Sequence, residues 1–267
     1  MKQQIHSLVV LIVLLCVAPL STAQDESELA KKTQNPVSDL ISLPLQNNFN
    51  FNFGHDKDVQ YVLNVQPVIP FHLTQNWNLI TRTIIPIINQ PEILPDTGSE
   101  FGMGDIQFTP FLSPAKPGKL IWGMGPVFLF PSAADEKIGT GKWSIGPSAV
   151  VLTMNGPWVY GVLAQNLWSF AGESDRPHVN QMLLQLFINH NFRGGWYVCS
   201  TPIITANWNA EKSSDTWTVP VGGGGGKLFK IGKQPMNAQL QAFYNVDRPT
   251  FGPEWTLRFQ LQFLFPK

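Results

Sequence analysis

The chain has 267 residues, 18 basic and 18 acidic side chains, and only 13% charged residues, against about 25% for a typical soluble domain. A neutral balance withholds the basic patch that nucleic-acid binding calls for. Past the N-terminus, no apolar run reaches the roughly 18 residues of a spanning helix, which excludes a helical membrane protein.

Residues 1–23 read as a secretory signal peptide: Lys2 is the positive region, Leu8 to Leu15 the apolar core, and Ser21-Thr22-Ala23 a small-residue cleavage site before Gln24. Cys16 leaves with that segment, and Leu15 stands where a lipoprotein site wants a small residue. The exported part keeps Cys199 alone, so it has no disulfide framework. Residues 24–42 form a polar arm carrying Glu26, Glu28, Lys31, Lys32 and Asp39, with room for a helical turn or two. Two readings of it stay open, an unattached periplasmic arm and a segment folded into a barrel mouth.

From Leu43 onward the chain breaks into strand-like runs. Leu45 to Phe53 alternates Phe49, Phe51 and Phe53 with Asn48, Asn50 and Asn52, and Val59 to Phe71 alternates in the same way. Trp77 to Ile87, Asp105 to Leu112, Leu120 to Phe130 and Trp143 to Thr153 follow. The second half gives Trp158 to Phe170, Val179 to Asn191, Trp196 to Asn207, Trp217 to Phe229 and Met236 to Val246. The last run, Trp255 to Phe265, puts six large apolar residues from Trp255 to Phe265 on one parity, with Thr256, Arg258, Gln260 and Gln262 on the other. Such a strand suits the closing wall of an outer-membrane barrel. The predicted fold is therefore all-β: residues 43–267 as a transmembrane antiparallel up-and-down barrel of about twelve strands, each near the ~9–11 residues that a crossing needs.

Connection lengths point the same way. Thr74 to Asn76, Pro114 to Lys119, Asn155-Gly156, Phe192 to Gly195 and Gly232 to Pro235 are short; Asn89 to Gly104, Pro131 to Lys142, Ala171 to His178 and Trp208 to Thr216 are longer. Short turns belong on the periplasmic side of such barrels. Trp77, Trp122, Trp158 and Trp196 fall beside the short turns; Trp143, Trp168, Trp208, Trp217 and Trp255 fall beside the long loops. Indole favours the headgroup boundary, so these are two interfacial belts. The implied location is the bacterial outer membrane, with membrane lipid and the barrel-assembly machinery as partners.

On the polar parity, amides dominate. Arg82, Asp105, Gln107, Gln185 and Asn189 are expected to face the lumen from the first two thirds of the chain, and Gln239, Gln241, Arg258 and Gln260 from the last third. They read as the lining of a narrow path for an unidentified small solute, with Arg82 and Arg258 favouring anionic or amphipathic ones. The competing reading is a non-conducting barrel that serves structure or binds a partner.

Other constellations are weaker. Gly222 to Gly226 lacks the Lys-Ser/Thr pair and the helix of a phosphate loop; a bulged strand that turns Lys227 inward is expected instead. His55, His72, His178 and His190 have no metal-ligand spacing, so no metal or cofactor is expected. His190 and Ser200 share the lipid face on neighbouring strands, as a lipase pair would, but nothing in the sequence orients His190. The expectation is a protein without enzymatic activity.

The runs G-M-G-D-I-Q-F-T-P-F-L-S-P (Gly102 to Pro114), G-K-W-S-I-G-P-S-A-V (Gly141 to Val150) and N-Q-M-L-L-Q-L-F-I-N-H-N-F (Asn180 to Phe192) resemble a bacterial family often mislabelled "neuromedin U". P-I-I-T-A-N-W (Pro202 to Trp208) and G-K-L-F-K-I-G-K-Q-P (Gly226 to Pro235) do so as well. That family is similar to the outer-membrane transporters encoded beside phenol-degradation pathways. The resemblance spans nearly all of the exported chain and implies a barrel and transport, with no catalytic residues attached.

Overall fold

A computed structural model describes residues 28–266, and the signal-peptide reading of residues 1–23 lies outside them. The chain runs through β1 (Ile41–Phe53), β2 (Asp58–Val65), β3 (Val68–His72), β4 (Trp77–Gln90), β5 (Glu100–Met103), β6 (Ile106–Pro114) and β7 (Leu120–Phe130). It continues through β8 (Lys142–Asn155), β9 (Trp158–Gly172), β10 (Asn180–Asn191), β11 (Trp196–Ser200), β12 (Ile203–Asn207), β13 (Trp217–Ile231), β14 (Gln234–Asp247) and β15 (Trp255–Phe265). Three crossings of the wall are each split in two, β2 with β3, β5 with β6, and β11 with β12. Two of the breaks hold Pro67 and Pro202, which have no N–H to give to a ladder. Twelve antiparallel wall strands result.

The barrel closes where β15 pairs with β1, in unbroken register from Ile41↔Phe265 to Phe51↔Trp255. Closure removes both sheet edges, which is the condition for a sheet to sit in lipid. Side-chain direction follows the period of two. Along β15, Arg258, Gln262 and Leu264 are buried inside, whereas Trp255, Phe259 and Phe265 are exposed on the outer wall. The outer face carries exposed apolar residues and both tryptophan belts; Trp77 meets Trp122 edge-on at 5.9 Å near the short turns, and Trp208 meets Trp217 at 5.3 Å near the long loops. A closed barrel with this outer wall belongs in the bacterial outer membrane.

The glycine run stays in register. From Pro220↔Asn245 to Ile231↔Gln234, β13 pairs with β14 without a shift. Lys227 therefore keeps the outward parity, with its Nζ 4.7 Å from the centre of the Trp196 ring, and the expectation of an inward Lys227 is corrected. The glycines serve close approach instead: a Cβ on Gly222 or Gly224 would collide with the carbonyl oxygens of Ala242 or Leu240, and one on Gly226 with the Tyr197 hydroxyl.

Of the two readings of the arm, residues 28–40 follow the second and fold into the barrel. Residues 28–33 form a helical turn. Ala30 and Leu40 are buried against Leu228 and Leu264, at the short-turn end. Val37 reaches further and packs among Ile80, Phe111, Val150, Leu152 and Phe187, all inward side chains. Polar ties complete the fit: Gln34 Nε2 donates to Asn191 Oδ1 at 2.8 Å, and Asn191 Nδ2 returns a bond to Gln34 Oε1 at 3.0 Å. Asp39 Oδ2 lies 3.5 Å from His72 Nε2 on β3.

The parity of β15 makes a direct prediction. Phe259→Arg places a charge on the lipid face near mid-wall, at a cost of about 2–4 kcal/mol, and is expected to abolish the heat-modifiable folded band on electrophoresis. Gln260→Arg puts the same charge in the lumen and is expected to keep that band; equal yields for the two would show the parity to be reversed.

Candidate functional site

The lumen has two unlike sides. Inward residues of β4 and β6 to β10 form an apolar cluster of Ile80, Phe111, Ile121, Val150, Leu152, Val159, Leu163 and Phe187. The facing side, from β11 and β14 round to β2, is lined by amides. The sequence reading took amides to dominate throughout. It missed the apolar side because β7 and β8 carry consecutive apolar residues, such as Val150, Val151 and Leu152, whose parity is not legible by alternation.

Arg258 is a buried member of the polar side. Its Nη1 donates to the Thr201 carbonyl at 2.9 Å, at the β11–β12 break, and its Nε donates to Asn48 Oδ1 on β1 at 3.1 Å. The guanidinium also lies 4.8 Å from the Phe243 ring centre. Gln241 reinforces the same point: its Oε1 accepts from the Thr201 N–H at 3.0 Å, and its Nε2 lies 2.9 Å from Thr201 Oγ1. The ladder break at Thr201-Pro202 leaves the Thr201 N–H and carbonyl to these side chains, which form a bar along the polar side of the wall.

Below the bar, toward the arm, lies a chamber of about 120 Å³. Arg82, Gln185, Asn189, Gln239 and Gln260 line it, with Gln34 and Leu40 of the arm as its floor. Arg82 Nη2 donates to Gln66 Oε1 at 2.8 Å, and Gln239 Nε2 to Cys199 Sγ at 3.2 Å. Asn189 is buried, with Nδ2 3.4 Å from the Val159 carbonyl. Above the bar a wider vestibule of about 950 Å³ opens among the long loops. Gln107 lies at its base, accepting from Gln165 Nε2 at 3.1 Å. Asp105 is the member of the expected set with a different position: its carboxylate accepts from Ala133 N, Thr140 N and Thr140 Oγ1, at 3.1, 2.7 and 2.7 Å, and so fastens the loop between β7 and β8 to the wall. At the vestibule rim, the Thr250 N–H and hydroxyl hold the Asp215 carboxyl below its ordinary range.

Of the other candidates, His190 faces outward between the rings of Trp158 and Phe192, at 4.5 and 4.7 Å. Ser200 donates to the Gly222 carbonyl at 2.6 Å, which bridges β11 to β13. Among the described residues, no group of three or more His, Cys, Asp or Glu side chains is placed to hold a metal ion.

No family model matches this chain, and no curated protein matches it. Solved structures do. An outer membrane channel from Pseudomonas putida F1 is similar in fold with a TM-score of 0.64 and 16% identity, over 85% of this chain and 94% of that one. The NanC porin is similar with a TM-score of 0.55 and 7% identity, over 84% of this chain and 100% of the porin. At these identities the likeness is one of fold, and the fold is the outer-membrane β-barrel. One expectation is corrected here, that of no enzymatic activity. Outer membrane phospholipase A from Escherichia coli also matches, 15% identical over 91% of this chain and 98% of that one with a TM-score of 0.45. A barrel fold does not by itself decide for or against catalysis.

The floor of the chamber depends on Val37, which is 5% exposed. Burying a valine contributes about 1.5–3 kcal/mol, and a carboxylate in its place would have to regain water. Val37→Asp is therefore expected to release the arm from the lumen while the wall stays folded. Limited proteolysis of the purified barrel checks this: cleavage within residues 28–40 should become at least tenfold faster than in the unaltered chain, with the wall fragment intact.

Proposed function

We propose that the chain is an outer-membrane channel or facilitator that passes small solutes along the polar side of its lumen, with a preference for anionic or amphipathic ones. The observation that carries this reading is the placement of two arginines, Arg82 and Arg258, inside the wall on amide partners, with no carboxylate ion pair to either among the described residues. A fixed cation in a narrow, partly desolvated passage acts on a passing ion far more strongly than one in bulk water. The apolar side opposite would accept the hydrocarbon part of an amphipathic solute. Resemblance to transporters encoded beside phenol-degradation pathways supports the same role. Insertion would run through the barrel-assembly machinery, as for other barrels of this kind.

The arm favours a second reading, a non-conducting barrel that serves structure or binds a partner through its loops, because Val37 and Leu40 occupy part of the lumen. Ion conduction separates the two. In a planar bilayer under a salt gradient, changing both arginines to glutamine is expected to move the reversal potential toward cation preference. Arginines that only brace the wall would leave the reversal potential where it was, and a barrel that passes no current would favour the second reading.

A further inference from the structure

Charge is sorted along the barrel axis. From β1 to β15, every aspartate and glutamate lies at the long-loop end, from Asp56 and Asp58 after β1 to Asp247 and Glu254 around the last loop. The short-turn end carries cations instead. Lys116 and Lys119 lie between β6 and β7, Arg193 between β10 and β11, Lys227 and Lys230 late in β13, and Lys233 in the turn to β14. Five of these six are exposed, and Lys227 is half-buried. None of them joins an ion pair among the described residues. The described carboxylates of the arm lie against other cations: Glu28 pairs with Lys31 at 2.7 Å, and Asp39 lies 3.5 Å from His72 Nε2.

Two placements say what this end meets. The first is around the circumference: the six wall strands from β7 to β13, half of the twelve, separate the β6–β7 turn from the β13–β14 turn. The cations therefore stand on opposite sides of the barrel. A protein docked on one flank would reach only some of them, whereas lipid headgroups surround them all. The second placement is Lys227, on the outer wall and not at the mouth. It pairs with Trp196 across the ladder, with its Nζ 4.7 Å from the ring centre. Trp196 is exposed, as are its apolar neighbours Phe192 and Val198. Indole marks the headgroup boundary, and a lysine stem lying on apolar surface holds its ammonium at that level. We propose that the short-turn rim is a binding surface for anionic phospholipids of the periplasmic leaflet. Their phosphates accept from the lysine ammonium groups, and from Arg193 through two parallel bonds, in place of the carboxylates that this end lacks. The proposal goes beyond the channel reading and holds whether or not the barrel conducts.

The test is native mass spectrometry of the full-length barrel in detergent, titrated with phosphatidylglycerol or phosphatidylcholine of the same acyl chains. Phosphatidylglycerol is expected to bind at least about fivefold more tightly. Raising ammonium acetate from about 50 to about 500 mM should erase most of that preference, because exposed charges are screened. Changing all six cations to glutamine should abolish it. Changing only Lys116 and Lys119, or only Arg193, Lys227, Lys230 and Lys233, should each remove part of it, as cations on two sides require. Glutamine at Lys57, Lys137 and Lys212, at the long-loop end, should leave it unchanged. Heat-modifiable migration confirms that each variant is folded; if the sixfold variant does not assemble, the two partial variants and the salt series still decide the matter. Equal binding of the two lipids overturns the proposal, and so does a preference undiminished in both partial variants. Free glycerol phosphate is expected not to displace the lipid. Displacement by it would make the rim a soluble-phosphate site, and retention of soluble polyglutamate in place of phosphatidylglycerol would assign the rim to an acidic protein; either result overturns the proposal.

Discussion

A backbone N–H or C=O left unpaired in hydrocarbon costs several kcal/mol, and that constraint shapes this molecule before any side chain does. It forces the first and last strands together, which is why eleven residues of β1 and β15 pair without a bulge. Once the wall is closed, alternate residues face opposite solvents, and the sequence must satisfy lipid and lumen at every second position. One break in the ladder is taken up by side chains of the lumen. At Thr201-Pro202 the freed carbonyl accepts from Arg258 and the Thr201 N–H donates to Gln241, so the interruption of the wall becomes the bar along its polar side.

The lumen inherits its asymmetry from the same arrangement. Apolar inward residues between β4 and β10 would be unfavourable facing water in an open bore. Val37 of the arm covers part of them, and Leu40 meets Leu228 and Leu264 lower down. The amide side has no such need and remains the wetter half, bounded by Arg82 and Arg258. One packing contact from a short polar arm thus links the stability of the apolar half to access through the polar half.

Much of the wall was legible in the sequence because its signals are local. The alternation from Trp255 to Phe265 gives the parity of β15 outright, and tryptophans beside turns mark the strand ends. The arm was not legible: Val37 and Leu40 sit among polar residues without periodicity, and their partners Phe111 and Leu264 are distant in sequence. Lys227 was misread because five glycines suggested a slip in register, whereas glycine here permits close strand approach without one. For Asp105, alternation puts the residue in the expected lumen set, and only the fold shows that Thr140 and Ala133 take up its carboxylate. The Arg258 bar depends on Thr201 on another strand, and no spacing in the chain announces that contact.

The proposed channel turns on the arm lying inside a barrel whose lumen would be wider without it. Single-channel conductance in planar bilayers, compared between the exported chain and the same chain lacking residues 24–40, tests this most directly. The account predicts a severalfold larger conductance without the arm, with the barrel still heat-modifiable. Equal conductance in the two forms would contradict it, by showing that the arm does not stand in the path.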